Sequence, residues 1–177
     1  YHQLRKRLEV RAQAIAAATE AKVAHARANE MERLVAFGHA LAEALDADAI
    51  RTAVVDHLPG LAPSRGAWIV IRAGDDWQPF VEIGDVPSMD VRTQAATMAA
   101  DNAGAAQFDG VRCFPMRAGR TPLGVLGVAS IPALDANQRQ SLEAGAALLA
   151  VSIKNAELVR VIRENSVRDS LTGCFNR

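Results

Sequence analysis

Hydrophobic positions change their period twice along this chain, and the changes divide it into helical ends around a strand-rich middle. From Tyr1 to about Ala47 there is no proline and Gly38 is the single glycine, while the strong helix formers Ala, Glu, Arg and Leu dominate. This predicts one long helix. Leu4, Leu8 and Ile15 fall at helical spacing, after which the stripe passes through Lys22, His25 and Asn29 and weakens. From Met31 the apolar positions thicken, with Leu34, Phe37, Leu41 and Leu45 on one face, so the helix is expected to join a core here. Asp46 or Asp48 suits the cap of a second helix, Ala49–Leu58, which the Pro59-Gly60 pair is expected to end.

In the middle, Ala67–Arg72 and Trp77–Ile83 are β-branched and aromatic runs around a Gly74-Asp75-Asp76 turn, which predicts a hairpin. Gly84–Asp90 reads as a loop, Val91 to about Asn102 as a helix, and Ala103–Gly110 as a small-residue loop holding at most a brief strand. Val111–Arg117 and Leu123–Ile131 predict a second hairpin around Ala118–Pro122, with Gly124 and Gly127 as thin points. An antiparallel sheet follows from two hairpins.

Asp135 suits the cap of a last long helix through about Val167, with Leu142, Ala146, Leu149 and Ile153 facing the sheet. A second stripe, Leu148, Val151, Asn155, Leu158, Ile162 and Asn165, alternates steps of three and four. With Leu148, Asn155 and Ile162 at a and Val151 and Leu158 at d, this is the seam of a parallel two-stranded coiled coil. The competing reading is a lone helix lying on its own sheet. The two asparagines either fix or switch the register of such a seam, or simply occupy a wet face.

Composition narrows the function without naming it. The 177 residues carry 20 basic and 20 acidic side chains, a balance that offers no electrostatic footprint for nucleic acid or an anionic membrane. The cluster Arg5, Lys6, Arg7 reads as a solvated helix face. Cys113 and Cys174 form no CxxC, and His2, His25, His39 and His57 are scattered, so no metal site is expected. No run is long and apolar enough for a membrane span, and a reducing, cytoplasmic setting is expected, although an anchor upstream would be invisible. Tyr1 in place of a starting Met and the stop at Arg177 suggest a segment of a longer polypeptide.

The order helix, helix, hairpin, helix-bearing loop, hairpin, long helix, together with Pro122-Leu123-Gly124-Val125-Leu126-Gly127-Val128 and Asn155-Ala156-Glu157-Leu158, resembles a GAF domain. The resemblance implies an α+β fold, an antiparallel sheet flanked by helices, with long coiled-coil signalling helices at both ends. The tail Arg168–Arg177 looks like the opening of a GGDEF domain, D-x-L-T-G-L-x-N-R, matching at Asp169, Leu171, Thr172, Gly173, Asn176 and Arg177 and departing at Cys174. The implied organisation is a linker helix over 1–30, a sensor domain over 31–159, a signalling helix over 148–168 that overlaps it, and the start of a GGDEF domain over 169–177.

This second resemblance implies a diguanylate cyclase parent that makes cyclic di-GMP from two GTP with Mg, while the segment itself, lacking the family's catalytic residues, is expected to be no enzyme. A parallel homodimer would bring two such catalytic domains together, with Leu4, Leu8 and Ile15 adding to the seam of the last helix. The alternative is a ligand-free adaptor that only dimerises and spaces its neighbours. A histidine kinase parent would need a phosphoacceptor helix that is not seen.

For a ligand, the sensor reading draws attention to a pocket between sheet and loop helix where Trp68, Phe80, Arg92, Cys113 and Phe114 would converge; the plainer reading makes them core. The effector would be a small molecule or a protein. The cyclic-nucleotide constellation Asn-Lys-Phe-Asp-Glu of some GAF relatives is echoed only by Phe108-Asp109, and Cys113 lacks the neighbouring histidine expected of a bilin attachment site.

Overall fold

The computed structural model describes residues 2–102, 104–129 and 133–172. Among these residues four helices and five strands follow in the order α1 (His2–Glu43), α2 (Ala47–Leu61), β1 (Gly66–Ala73), β2 (Asp76–Gly84), α3 (Met89–Asp101), β3 (Ala106–Phe108), β4 (Val111–Ala118), β5 (Thr121–Ala129) and α4 (Ala136–Thr172). The strands form one antiparallel sheet in the order β2-β1-β5-β4-β3. This is the expected α+β architecture with long helices at both ends.

Two apolar layers hold the sheet. On one face Phe37 and Leu41 of α1, Val54 and Leu58 of α2, and Leu142 and Leu149 of α4 join Ile69, Phe114 and Leu126 of the strands in the larger core. On the other, Ala95, Ala96 and Ala99 of α3 join Trp68, Val70, Cys113 and Val125. Of the Leu142, Ala146, Leu149, Ile153 stripe predicted to face the sheet, the first three are buried and Ile153 is partly buried against the same core.

Several local expectations shift, each for a visible reason. Asp46 is the cap of α2, its side chain accepting from the Ala49 backbone N–H at 2.9 Å. The helix runs through Pro59 to Leu61, where Pro59 was expected to end it. Burial of Leu58 and Leu61 holds the last turn in place, and the Arg33 guanidinium donates to the Gly60 carbonyl at 3.1 Å, a helix end that would otherwise lack an intrahelical partner. The Ala118–Pro122 loop contracts to a two-residue turn at Gly119-Arg120, because Pro122 pairs with Arg117 inside the ladder. The brief strand β3 is joined to β4 by Asp109-Gly110, both with positive φ, the geometry of a type I′ hairpin turn. At α4, Asp135 accepts from the Gln138 N–H at 2.8 Å while the Gln138 side chain accepts from the Asp135 N–H at 3.0 Å, a reciprocal capping box.

Candidate functional site

Residues directly opposite one another on paired strands project from the same face of a sheet. The register aligns Glu82 of β2, Trp68 of β1, Gly127 of β5, Cys113 of β4 and Ala106 of β3 in one row across all five strands. That row lies under α3. Trp68 is fully buried there, and its indole lies across β5 in space that only a glycine leaves open: a Cβ on Gly127 would stand 2.1 Å from Trp68 Cε2.

Arg92 of α3 closes the row at its β2 end. Its guanidinium, with 9% of the side chain exposed, forms an ion pair and hydrogen bond with Glu82, whose carboxylate is half-exposed. Trp77 on the same face donates its Nε1 to Thr97 of α3 at 3.1 Å, so β2 is tied to α3 at two points. Two donors in this layer, Trp68 Nε1 and Arg92 Nε, are buried with no hydrogen-bonding partner among the described residues. An unpaired buried donor costs roughly 1–3 kcal/mol. The site is therefore poor in acceptors, and chemistry that would improve it is a small acceptor group such as a carboxylate, a carbonyl or water.

The structure brings together only three of the five residues predicted to converge. Trp68, Arg92 and Cys113 belong to the α3 side, whereas Phe80 and Phe114 lie in the opposite core. For Phe114 the reason is strand alternation, since its neighbour Cys113 already faces α3. For Phe80 the reason is a bulge: Ile69 pairs with Val81 and Val70 with Pro79, leaving Phe80 unpaired and turned toward the helical core beside Val81. Arg51 of α2 fastens that bulge, its guanidinium 4.6 Å from the Phe80 ring centroid and its Nε donating to the Phe80 carbonyl at 3.1 Å. Sequence reasoning missed Glu82 as the partner of Arg92 and Gly127 as the seat of Trp68. An acidic residue between the apolar Val81 and Ile83, and a glycine amid strand residues, were the available signals.

Cys113 does not carry nucleophilic chemistry. Burial pushes its thiol up to about 12 from an ordinary value of 9.0, so the thiolate is absent at neutral pH. In the folded, Cys174→Ser chain, Cys113 is expected to react with Ellman's reagent only after denaturant is added; rapid modification of the native protein would contradict this burial. Because the unfolded thiol ionises near 9 and the folded one near 12, the native state loses stability as pH rises through that window. Among the described residues no group of three His, Cys, Asp or Glu side chains is placed to hold a metal ion, and no described helix is long and apolar enough to cross a membrane.

The second predicted constellation lies on the helices. Along α4 Leu149 is fully buried, while Leu148, Val151, Leu158 and Ile162 on the next face are exposed by 37%, 57%, 50% and 67%. Asn155 and Asn165 are exposed with them. Leu4, Leu8 and Ile15 are likewise exposed on α1. The helix backbone of α4 continues to Thr172, but the side chains of Asp169, Leu171 and Thr172, and all of Gly173, Asn176 and Arg177, lie outside the described residues.

Searches with the sequence alone return no match to a family model or to a curated protein. The GAF domain of a sensor histidine kinase from Pseudomonas syringae pv. tomato superposes with a TM-score of 0.62 at 20% identity, over 82% of this chain and 99% of that one. The chain has a GAF fold. The GAF domain of the potassium sensor histidine kinase KdpD from Escherichia coli aligns with a TM-score of 0.58 at 17% identity, covering 73% of this chain and 97% of the other. Free methionine-R-sulfoxide reductase from Neisseria meningitidis, solved with its substrate, gives 0.63 at 13% identity over 75% and 92%. Similarity at this level concerns the fold. In this GAF fold the helices α1, α2 and α4 share one side of the sheet, and α3 covers the other.

Proposed function

We propose that this chain is the sensor and dimerisation segment of a diguanylate cyclase, passing a signal through a parallel coiled coil to a GGDEF domain that makes cyclic di-GMP from two GTP. The observation that carries the reading is α4: one uninterrupted helix whose first half is packed on the sheet, whose exposed side bears the Leu148–Ile162 seam, and whose end runs into the Asp169-x-Leu171-Thr172-Gly173 tail. A change in packing on the sheet reaches the tail without crossing a loop. The GTP and Mg chemistry belongs to the domain that follows, and since GTP is a cytosolic nucleotide, the segment would work on the cytoplasmic side. The segment itself catalyses nothing in this proposal.

The effector would act on the Glu82–Trp68–Gly127–Cys113 row. A small molecule offering an acceptor to Trp68 Nε1 and Arg92 Nε competes with Glu82 and loosens the tie between β2 and α3. On the far side of β2 the Phe80 bulge is held to α2 by Arg51, so displacement of β2 repacks the helical face that includes α4.

The test uses the full-length parent. Purified parent protein incubated with GTP is expected to yield cyclic di-GMP; a well-folded dimer that forms none would overturn the cyclase reading. Leu158→Glu buries an unpaired charge in the seam, at roughly 3 kcal/mol or more. The dimer Kd should rise by at least about a hundredfold, and synthesis should fall with it. Asn155→Ile should tighten the dimer and blunt regulation, since a polar a position weakens a coil while limiting its registers. An unchanged dimer midpoint and unchanged regulation would count against the switch.

A specific observation favours a second reading, the structural adaptor: the Trp68 indole and the small residues Ala95, Ala96 and Ala99 already fill much of the space between α3 and the sheet. A thermal-shift screen of small carboxylates and other metabolites separates the two, since binding raises the midpoint in proportion to occupancy. No response to any compound, with regulation transmitted intact by a fused upstream domain, is the adaptor's outcome.

A further inference from the structure

Where α4 leaves the sheet, its inward face changes character. Leu142, Ala146 and Leu149 are buried in the helical core, and Ile153 and Ala156 pack against it partly buried. The same steps of four and three carry this side of the helix on to Arg160 and Arg163, both exposed. At this change from apolar to cationic, a cavity of about 690 Å³ opens between α4, the start of α2 and the neighbouring ends of β1 and β5. Its size is that of a small-molecule site, roughly 300–1,000 Å³. Its floor is apolar, with Ile50 and Phe80 buried and with Ile71, Leu123, Ile153 and Ala156 only partly covered. At about 100° per residue, this side of α4 lies opposite the Leu148–Ile162 seam, so the cavity stays open whether or not that seam is paired.

Charge at the rim is unevenly used. Four carboxylates line the cavity, and each is engaged within the chain. Asp46 caps α2, Asp48 pairs with Arg51 at 2.6 Å, Glu157 with Lys154 at 2.9 Å, and Glu164 with Arg160 at 2.6 Å. Arg72 is held at its own turn, its Nε donating to the Gly74 carbonyl at 3.2 Å and its guanidinium 3.9 Å from Asp75. Arg163 lines the same cavity and has no ion-pair partner within 4 Å among the described residues. Helical side chains lean toward the N-terminus of their helix, which aims Arg163 back toward Ala156 and the apolar floor.

We propose that this cavity binds a monocarboxylate with an apolar tail, the tail lying on Ile71, Leu123, Ile153 and Ala156 and the carboxylate on the Arg163 guanidinium. A guanidinium offers two parallel donors to a carboxylate, a match that neither an alcohol nor an amine reproduces. The site lies on the opposite side of the sheet from the Glu82–Trp68–Gly127–Cys113 row, and it depends on neither the dimer nor the cyclase reading. A ligand seated there ties β1 and β5 to α4 at the point where the helix parts from the sheet.

Calorimetric titration of the chain with octanoate, n-octanol and octylamine tests it. Octanoate is expected to saturate one site per chain and to bind about fivefold tighter than octanol, with octylamine weakest. Arg163→Gln should weaken octanoate by about fivefold, the value of an exposed ion pair, and leave octanol unchanged. Arg163 is exposed, so this variant keeps the fold. Ala156→Trp fills the floor and should abolish binding of both octanoate and octanol in a chain that still melts cooperatively. Equal affinity for octanoate and octanol, or an octanoate affinity indifferent to Arg163→Gln, overturns the carboxylate assignment. A preference for octylamine reverses the charge and overturns it as well. Octanoate binding undiminished in folded Ala156→Trp overturns the location, and no saturable octanoate binding in the millimolar range overturns the site altogether.

Discussion

Gly127→Ala is expected to destabilise the fold by about 3 kcal/mol, the upper part of the usual range for overpacking, and to lower Tm by roughly 6–12 °C in a domain of this size. The added Cβ would stand 2.1 Å from Trp68 Cε2 and 2.2 Å from Cζ2, so the indole must leave its place. It has nowhere easy to go. Trp68 is fully buried between β5 and α3, and lifting it separates α3 from the sheet. The double variant Gly127→Ala, Trp68→Leu should recover part of the loss, since the smaller side chain leaves room for the methyl group. Chemical denaturation of the four chains of this cycle measures the coupling. If Gly127→Ala melts with the unsubstituted chain, the Trp68 indole does not lie over Gly127.

The second large effect is expected at Glu82. Replacing it by alanine leaves the Arg92 guanidinium buried beneath α3 with its ion-pair partner removed, where Nε already lacks a partner among the described residues. A hydrogen bond involving a charged group contributes about 1.5–3 kcal/mol, and the half-exposed Glu82 carboxylate places the cost toward the lower end of that range. Glu82→Ala should also release α3 selectively, raising hydrogen exchange over Met89–Asp101 before the rest of the chain. Arg92→Leu in the same chain should restore much of the stability, because it removes the charge that has been left without its partner. Equal exchange in α3 with and without Glu82 would show that the pair does not hold that helix.

These two positions differ in how far the sequence announces them. Gly127 stood out as a glycine inside a strand, a sign of close backbone approach, yet which side chain approaches depends on the β1–β5 register. Arg92 is expected from the sequence in a pocket between sheet and loop helix. Its partner lies on β2 ten residues earlier, and only the packing of α3 over that strand joins them. Phe80 shows the limit most plainly. Simple alternation from Glu82 puts it on the α3 side, but one bulged residue in β2 transfers it to the opposite core. Asp109-Gly110 has the composition of a hairpin turn, but the strand before it, Ala106–Phe108, is too short to show a period.

What the sequence determined by itself was local. Helix-forming composition defined α1 and α4, β-branched runs defined the strands of both hairpins, Asp135 marked the start of α4, and the start of α2 was narrowed to Asp46 or Asp48, because each signal acts through neighbours a few residues away. Tertiary structure alone decided which residues face one another at long range: Trp68 over Gly127, Arg92 on Glu82, and α1 flush and parallel beside α4 through Gly38 and Leu148. It also decided which face of α4 stays outside the core, the one bearing Leu148, Val151, Leu158 and Ile162. A helix carries many equivalent three-and-four alternations, and only the face buried against the core removes that degeneracy by fixing what remains outside.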